Sequence, residues 1–185
     1  MKPTLVTGPQ FNAVALDELA HFLRVEEDDD NPLLRSFLDF ATDKAESITG
    51  RRLAQQTWRL DLEKFESEII LPYPPLISVD SIIYYDSNNV QTTLDTSYYE
   101  VTGISHIGKI KPNYGYTYPS TYPKTDAVQI TFTCGYTGAE LIPEGIKNGI
   151  KSVVWQMYDT RGEKIDDNFF NFLFGPYTLR GFEQE

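Results

Sequence analysis

The sequence predicts an α+β fold: a pair of helices first, a small antiparallel β-sheet in the middle, then a long helix, a short helix and a tail. Three observations predict it. Between Asn31 and Gly50 apolar residues return at helical spacing, through Leu34, Leu38, Ala41, Ala45 and Ile48. From Gln55 the period drops to two, with Trp58, Leu60 and Leu62 alternating with Thr57, Arg59 and Asp61. After Pro143 the helical period comes back through Ile146, Ile150, Val153 and Met157. Helices and strands gathered in separate blocks are the mark of an α+β domain.

Each element has its own justification. Met1 to Gln10, with Gly8-Pro9, reads as an extended or mobile lead-in. A first helix over Leu16 to Arg24 turns Leu16, Leu19 and Leu23 inward. Ala15 gives it no capping side chain and Glu18 is half of a capping box, so either its start frays or Asn12 caps it one turn earlier. The acidic run Glu26 to Asp30 reads as a solvated loop. Asn31-Pro32 starts the second helix as cap and first residue, and Gly50 supplies a left-handed stop. The small Ala41 and Ala45 point to a close neighbour helix.

In the β region, Ile69 to Leu71 runs into Pro72, Pro74 and Pro75, which cannot donate to a central ladder, so this strand lies at an edge or ends there. Ser78 to Tyr85 is a longer strand, turned by Ser87-Asn88-Asn89 into Val90 to Leu94. Tyr98 to Thr102 and His106 to Lys111 are short strands. Val128, Ile130, Phe132 and Cys134 fall on one side of a further strand, with Gln129, Thr131 and Thr133 on the other. After the helix from Pro143 to Arg161, the segment Asp166 to Phe174 holds Phe169, Phe170, Phe172, Leu173 and Phe174. That is too many aromatics for one face of a short helix, so another chain or a fold-back onto the sheet covers some of them, or they form a lid on the protein's own core. Gly175-Pro176 then leaves a tail from Tyr177 to Glu185.

A chain of 185 residues buries roughly 70% of its unfolded surface, enough for one core. The expected organisation is a single domain over 1–185, with a helix pair at 12–53, a β region at 55–136, C-terminal helices at 143–174 and the tail at 175–185. Its 27 acidic and 16 basic residues give a formal charge of -11, which disfavours holding nucleic acid on a basic face. The lone Cys134 excludes an intramolecular disulfide, suits a reducing cytoplasm and reads as a small buried apolar residue. No apolar run approaches the ~20 residues of a membrane span, and no signal peptide precedes Phe11. A soluble cytoplasmic product is expected.

No catalytic set emerges. His21 and His106 read as structural or solvent-facing. No metal-protease, Cys-x-x-Cys, nucleophile-elbow or phosphate-loop motif occurs. The run Glu26 to Asp30 lacks the spacing of a calcium loop, and Asp166-Asp167 reads as a helix boundary. The expectation is a non-enzyme with no cofactor and no metal. Lys111 to Lys124 is unusual, carrying Tyr114, Tyr116, Tyr118 and Tyr122 among three prolines. It is a surface loop closed over the sheet by its own tyrosines, a contact arm, or a disordered segment. Trp58 and Trp155 both read as core.

Several segments in order resemble the head-to-tail connector (adaptor) proteins of tailed bacteriophages. They are LDELAHFLRV from Leu16, FLDFATDKAESITGRRL from Phe37, and QTWRLDLEKF followed by IILPYPPLISVDSIIYYD, with Leu71, Pro72, Pro74, Pro75, Val79, Tyr84 and Tyr85 at the expected places. The stretch Asp126 to Glu163 and the closing Leu173, Pro176, Tyr177 and Arg180 continue the likeness. Two positions depart: Ala15, where a Ser or Thr cap is usual, and Tyr118-Pro119, where the family tends to show Trp-Pro.

The resemblance implies a structural virion protein, a ring subunit in the phage neck that joins the portal to a stopper or tail protein. It implies rings of copies, usually dodecameric, assembled in the host cytoplasm, with DNA passing through unbound and no membrane contact. The candidate partner-interface residues are Arg51, Arg52, Tyr114, Tyr116, Tyr118, Phe169, Phe170, Tyr177 and Arg180. In that picture Tyr177 and Arg180 anchor the portal side, where Tyr and Arg combine area with directed polar contacts. Arg51 and Arg52 reach the acidic Glu26 to Asp30 of the next subunit, and Lys111 to Lys124, as a contact arm, reaches a neighbouring ring subunit or the next ring. The alternatives are another neck or tail-completion protein, a ligand-binding module using the tyrosine loop, or an enzyme assisting DNA packaging.

Overall fold

The strand with the clearest alternation becomes the centre of the larger sheet. In chain order the elements are β1 (Pro3–Thr7), α1 (Leu16–Leu23), α2 (Asn31–Thr49), β2 (Gln56–Leu62), β3 (Ile69–Ile70), β4 (Leu76–Tyr85), β5 (Gln91–Thr93), β6 (Tyr99–Thr102), β7 (Lys109–Pro112), β8 (Val128–Cys134), α3 (Glu144–Asp159) and α4 (Asp167–Phe174). The structure, a computed structural model, describes residues 3–25, 31–161 and 165–179. The chain divides into two compact units, Met1–Gln10 with Gln55–Gly135 and Phe11–Ala54 with Tyr136–Glu185. The α+β class is as expected, and the β region is inserted between helical segments.

The β unit holds two antiparallel sheets where a single one was expected: five strands in the order β1-β2-β8-β4-β5 and three in the order β3-β7-β6. Register explains the larger core. Leu60 of β2 and Ile82 of β4 both pair with Ile130 of β8, while Trp58 and Val79 pair with Phe132. Because side chains alternate, these pairs lie on one face. Leu60, Ile82, Val128, Ile130, Phe132 and Cys134 are buried there, together with Ile69, Tyr99 and Ile110 from the smaller sheet. The opposite face is polar. The Thr57 and Thr133 hydroxyls meet at 3.2 Å, and Thr133 Oγ1 donates to Asp80 Oδ2 at 2.7 Å.

The lead-in is a strand: Pro3–Thr7 pairs with β2 along the sheet edge. Five residues beside Gly-Pro carry too little pattern to show this, and the pairing comes from the exposed side of β2. The proline-ended strand Ile69–Ile70 does lie at an edge. The turn after β4 forms as expected, with Asn89 left-handed and Asp86 Oδ1 accepting from the backbone N–H groups of Asn88 and Val90.

In the helical unit, Leu34, Leu38, Ala41 and Ala45 are buried along α2, and Gly50 is left-handed at its end. The close neighbours that the alanines predicted are α3 and α4. Ile146, Ile150 and Val153 of α3 meet them in one core with Leu19, Phe170 and Phe174. Helix α1 begins at Leu16 behind Ala15, which makes no side-chain cap, so Asn12 is not its cap. Asn31 lies within α2 rather than ahead of it. Phe170 and Phe174 of α4 lie in the core of the helical unit, packed on helices rather than on a sheet, while Phe172 stays exposed. Asp166 is the boundary residue it was read as, its carboxylate accepting from Asn168 N–H at 3.1 Å. Trp155 corrects a reading. It is 52% exposed, because nine residues at about 100° each place it half a turn from Ile146.

Candidate functional site

The described surface offers aromatic and apolar side chains for contact. In the β unit Tyr114 is fully exposed, and Tyr116 stands edge-on to Tyr98 with ring centroids 5.0 Å apart. Tyr118 differs from them: its ring stacks on Phe65 at 4.5 Å and 12° and fastens the loop down. Burial, and secondarily Tyr99, pushes its phenol up to about 12. Lys124 Nζ lies 3.5 Å from the Tyr85 ring centroid and holds the other end. The loop between β7 and β8 is therefore tied by Tyr118 while Tyr114 and Tyr116 face outward.

The helical unit shows Phe22, Leu33, Phe40, Trp155 and Phe172 at its surface, Phe172 being 78% exposed. Positions 170 and 174 are one turn apart and point inward, which leaves position 172 on the far side of α4. Phe170 is buried at 3% and Phe169 is partly covered. Of the α4 aromatics, then, Phe172 is the most exposed. Phe40 stands edge-on to Phe170 at 6.2 Å, with Lys44 Nζ 5.4 Å from the Phe170 ring centroid.

Arg52 is engaged in its own chain, 2.9 Å from Glu46 Oε2. Arg51 Nε donates to the Tyr177 carbonyl at 3.4 Å, so the structure brings Arg51 and Tyr177 together. Arg180 and the acidic run Glu26 to Asp30 lie outside the described residues. An open cleft of about 770 Å³ in the β unit is lined by Asp61, Glu63, Glu66 and Asp126 with Thr4 and Lys64. Asp61 is bonded by Arg59 and Asp126 by Lys124. Among the described residues no group of three or more His, Cys, Asp or Glu could hold a metal ion. None of the described helices is long and apolar enough to cross a membrane.

The model of the phage gp6-like head-tail connector protein family matches residues 14–106, half of the chain. The chain belongs to this family. Solved structures share its fold along nearly the whole length. The chain matches a component of the neck of an empty GTA particle computed with C6 symmetry with a TM-score of 0.80 at 19% identity, covering 99% of this chain and 98% of that one. A chain from the virion of a native gene transfer agent (GTA) particle gives 0.79 at 21%, with the same coverage. One from the neck of a native GTA particle computed with C12 symmetry gives 0.73 at 22%, again with the same coverage. No curated protein matches the chain. The protein is a head–tail connector, a structural component of a phage-like particle.

Glu46, with its side chain 12% exposed, is a largely covered acid of the connector. Glu46 accepts from Leu53 N–H at 2.8 Å and pairs with Arg52. Burial outweighs both attractions and raises its carboxyl above the ordinary 4.5. Between 4.5 and the raised value the folded chain holds the proton that the unfolded chain has lost, so stability falls as pH rises through that window. Glu68, held down by Lys109 and Lys111, and Asp95 and Asp166, held down by backbone N–H groups, act the opposite way below their ordinary values. Denaturant unfolding measured at successive pH values should show a loss of stability just above 4.5, absent in Glu46→Gln.

Proposed function

We propose that this connector sits in the particle neck as a ring of copies, twelve in the virion, between the portal and a stopper or tail protein. It performs no chemistry, is assembled in the host cytoplasm and lets DNA pass without specific binding. The observation that carries the reading is the likeness to neck components along 99% of the chain, joined to the family match. Closure of such a ring asks each copy for two unlike, complementary flanks. The outward Tyr114 and Tyr116 supply one set of contacts, and Trp155 and Phe172 another. Large aromatics bury much area at low entropic cost, which favours them as anchors. The charge of -11 gives the ring a net field that repels DNA phosphates.

Negative-stain imaging of the chain mixed with its cognate portal tests this. Rings capping the portal at one end are expected. A chain that stays dispersed beside intact portal rings, at concentrations well above those used for imaging, would remove the proposal.

A further inference from the structure

The segment after α4 returns to its own chain at several points. The Tyr177 carbonyl accepts from Arg51 Nε at 3.4 Å, Thr178 Oγ1 donates to the Ile48 carbonyl at 3.0 Å, and Leu179 N–H donates to the Thr49 carbonyl at 3.1 Å. Ile48 and Thr49 close α2, where carbonyls have lost their helical partners. The returning segment therefore caps the end of that helix.

A second, independent feature meets the same residues. Gly145 and Gly149 stand one turn apart on α3. A Cβ on Gly145 would run into the Tyr177 phenol, and one on Gly149 would come within 2.7 Å of the Phe174 ring. Phe174 is fully buried, and Tyr177 is half-buried against the helical core. Two missing side chains thus form a groove whose shape is filled by two aromatics three residues apart.

We propose that Phe174 to Leu179 is a built-in strap and that Tyr177 is a positioning residue. It seats the strap in the α3 groove and fixes where Leu179 meets the end of α2, without itself touching the portal. The portal arm of this inference rests on the neck reading above; the strap does not.

Amide exchange of the full chain, followed by NMR, tests the strap. Leu179 N–H should exchange at least about ten-fold more slowly than in an unstructured peptide. In an open helix Gly→Ala stabilises, because alanine loses less backbone entropy. Here Gly145→Ala should instead speed Leu179 exchange and lower Tm. In a Tyr177→Ala background the same change should raise Tm, and this reversal of sign is the signature of the seated phenol. Leu179 exchanging at the peptide rate in the wild-type chain, or Gly145→Ala raising Tm with Tyr177 present, would overturn the strap.

Pull-down on the portal separates positioning from contact. Tyr177→Phe with Leu179 still protected should bind as wild type, and Tyr177→Ala should lose protection and binding together. Lost binding in Tyr177→Phe with protection intact would make Tyr177 a direct contact and overturn its assignment. If the wild-type chain ignores the portal while Leu179 stays protected, the strap stands and the portal falls as partner.

Discussion

Phe132→Ala is expected to lower the unfolding free energy by about 3–5 kcal/mol, the range for deleting a large buried aromatic. Phe132 is fully buried on the central strand of the five-stranded sheet, paired with Trp58 on one side and Val79 on the other. Strands flanking it on both sides restrict collapse into the space left behind, so the cavity term adds to the lost transfer energy. Trp58 is itself held, its ring 4.6 Å from Tyr73 and its Nε1 donating to Gln56 Oε1 at 3.0 Å. It cannot swing over to refill the site without breaking that bond. Urea unfolding should show a lower midpoint with an unchanged slope. A loss below ~1 kcal/mol would mean that the core closes over the gap and that this register is not what holds the sheet.

Phe174→Ala is expected to have a comparable cost, about 3–5 kcal/mol, and a different character. Helix α4 has eight residues, Asp167–Phe174, well short of what persists alone in water. It exists because Phe170 and Phe174 are buried among α2 and α3. Phe174 also occupies the place beside Gly149 where a side chain would otherwise stand. Removing the ring therefore empties the space beside Gly149, and α4 loses one of its two buried anchors. Hydrogen exchange should show amides of α4 opening at lower free energy than those of α2, and the global midpoint should fall. Unchanged α4 protection would mean that Phe170 alone docks the helix.

Much of the fold was legible because burial imposes a period. Most of the stripes on α2 and α3 and of the alternation on β2 and β8 appears directly as buried residues, with Ile48, Met157 and Trp58 partly covered. Local chemistry marked the boundaries at Gly50, Asp166 and the turn after β4. What escaped was context. Pro3–Thr7 is a strand only because β2 leaves an edge open to it, and the strands after β4 divide between two sheets through pairings with no local signature. Trp155 was misread because apolar character was weighed without its angle around the helix; that angle was available in the sequence.

The candidate contact residues were legible by type, whereas which of them are exposed was not. Aromatic richness drew attention to the loop after β7 and to α4, yet composition cannot say which ring turns inward. Tyr118 and Phe170 are packed within the chain, Tyr116 is exposed while leaning edge-on against Tyr98, and Tyr114 and Phe172 are exposed. Likewise Arg52 has Glu46 and Arg51 has the Tyr177 carbonyl, partners brought near by chain reversal.

By itself, then, the sequence determined the class of fold, the periods and ends of the main elements, and the connector family, since these are written in local spacing and in motifs kept in order. Tertiary structure alone decided the strand order, the edge role of the N-terminus and the strap against the α3 glycines. These depend on which surfaces meet across long stretches of chain. Non-local contacts of that kind are set by the joint packing of many residues, and no single segment encodes them.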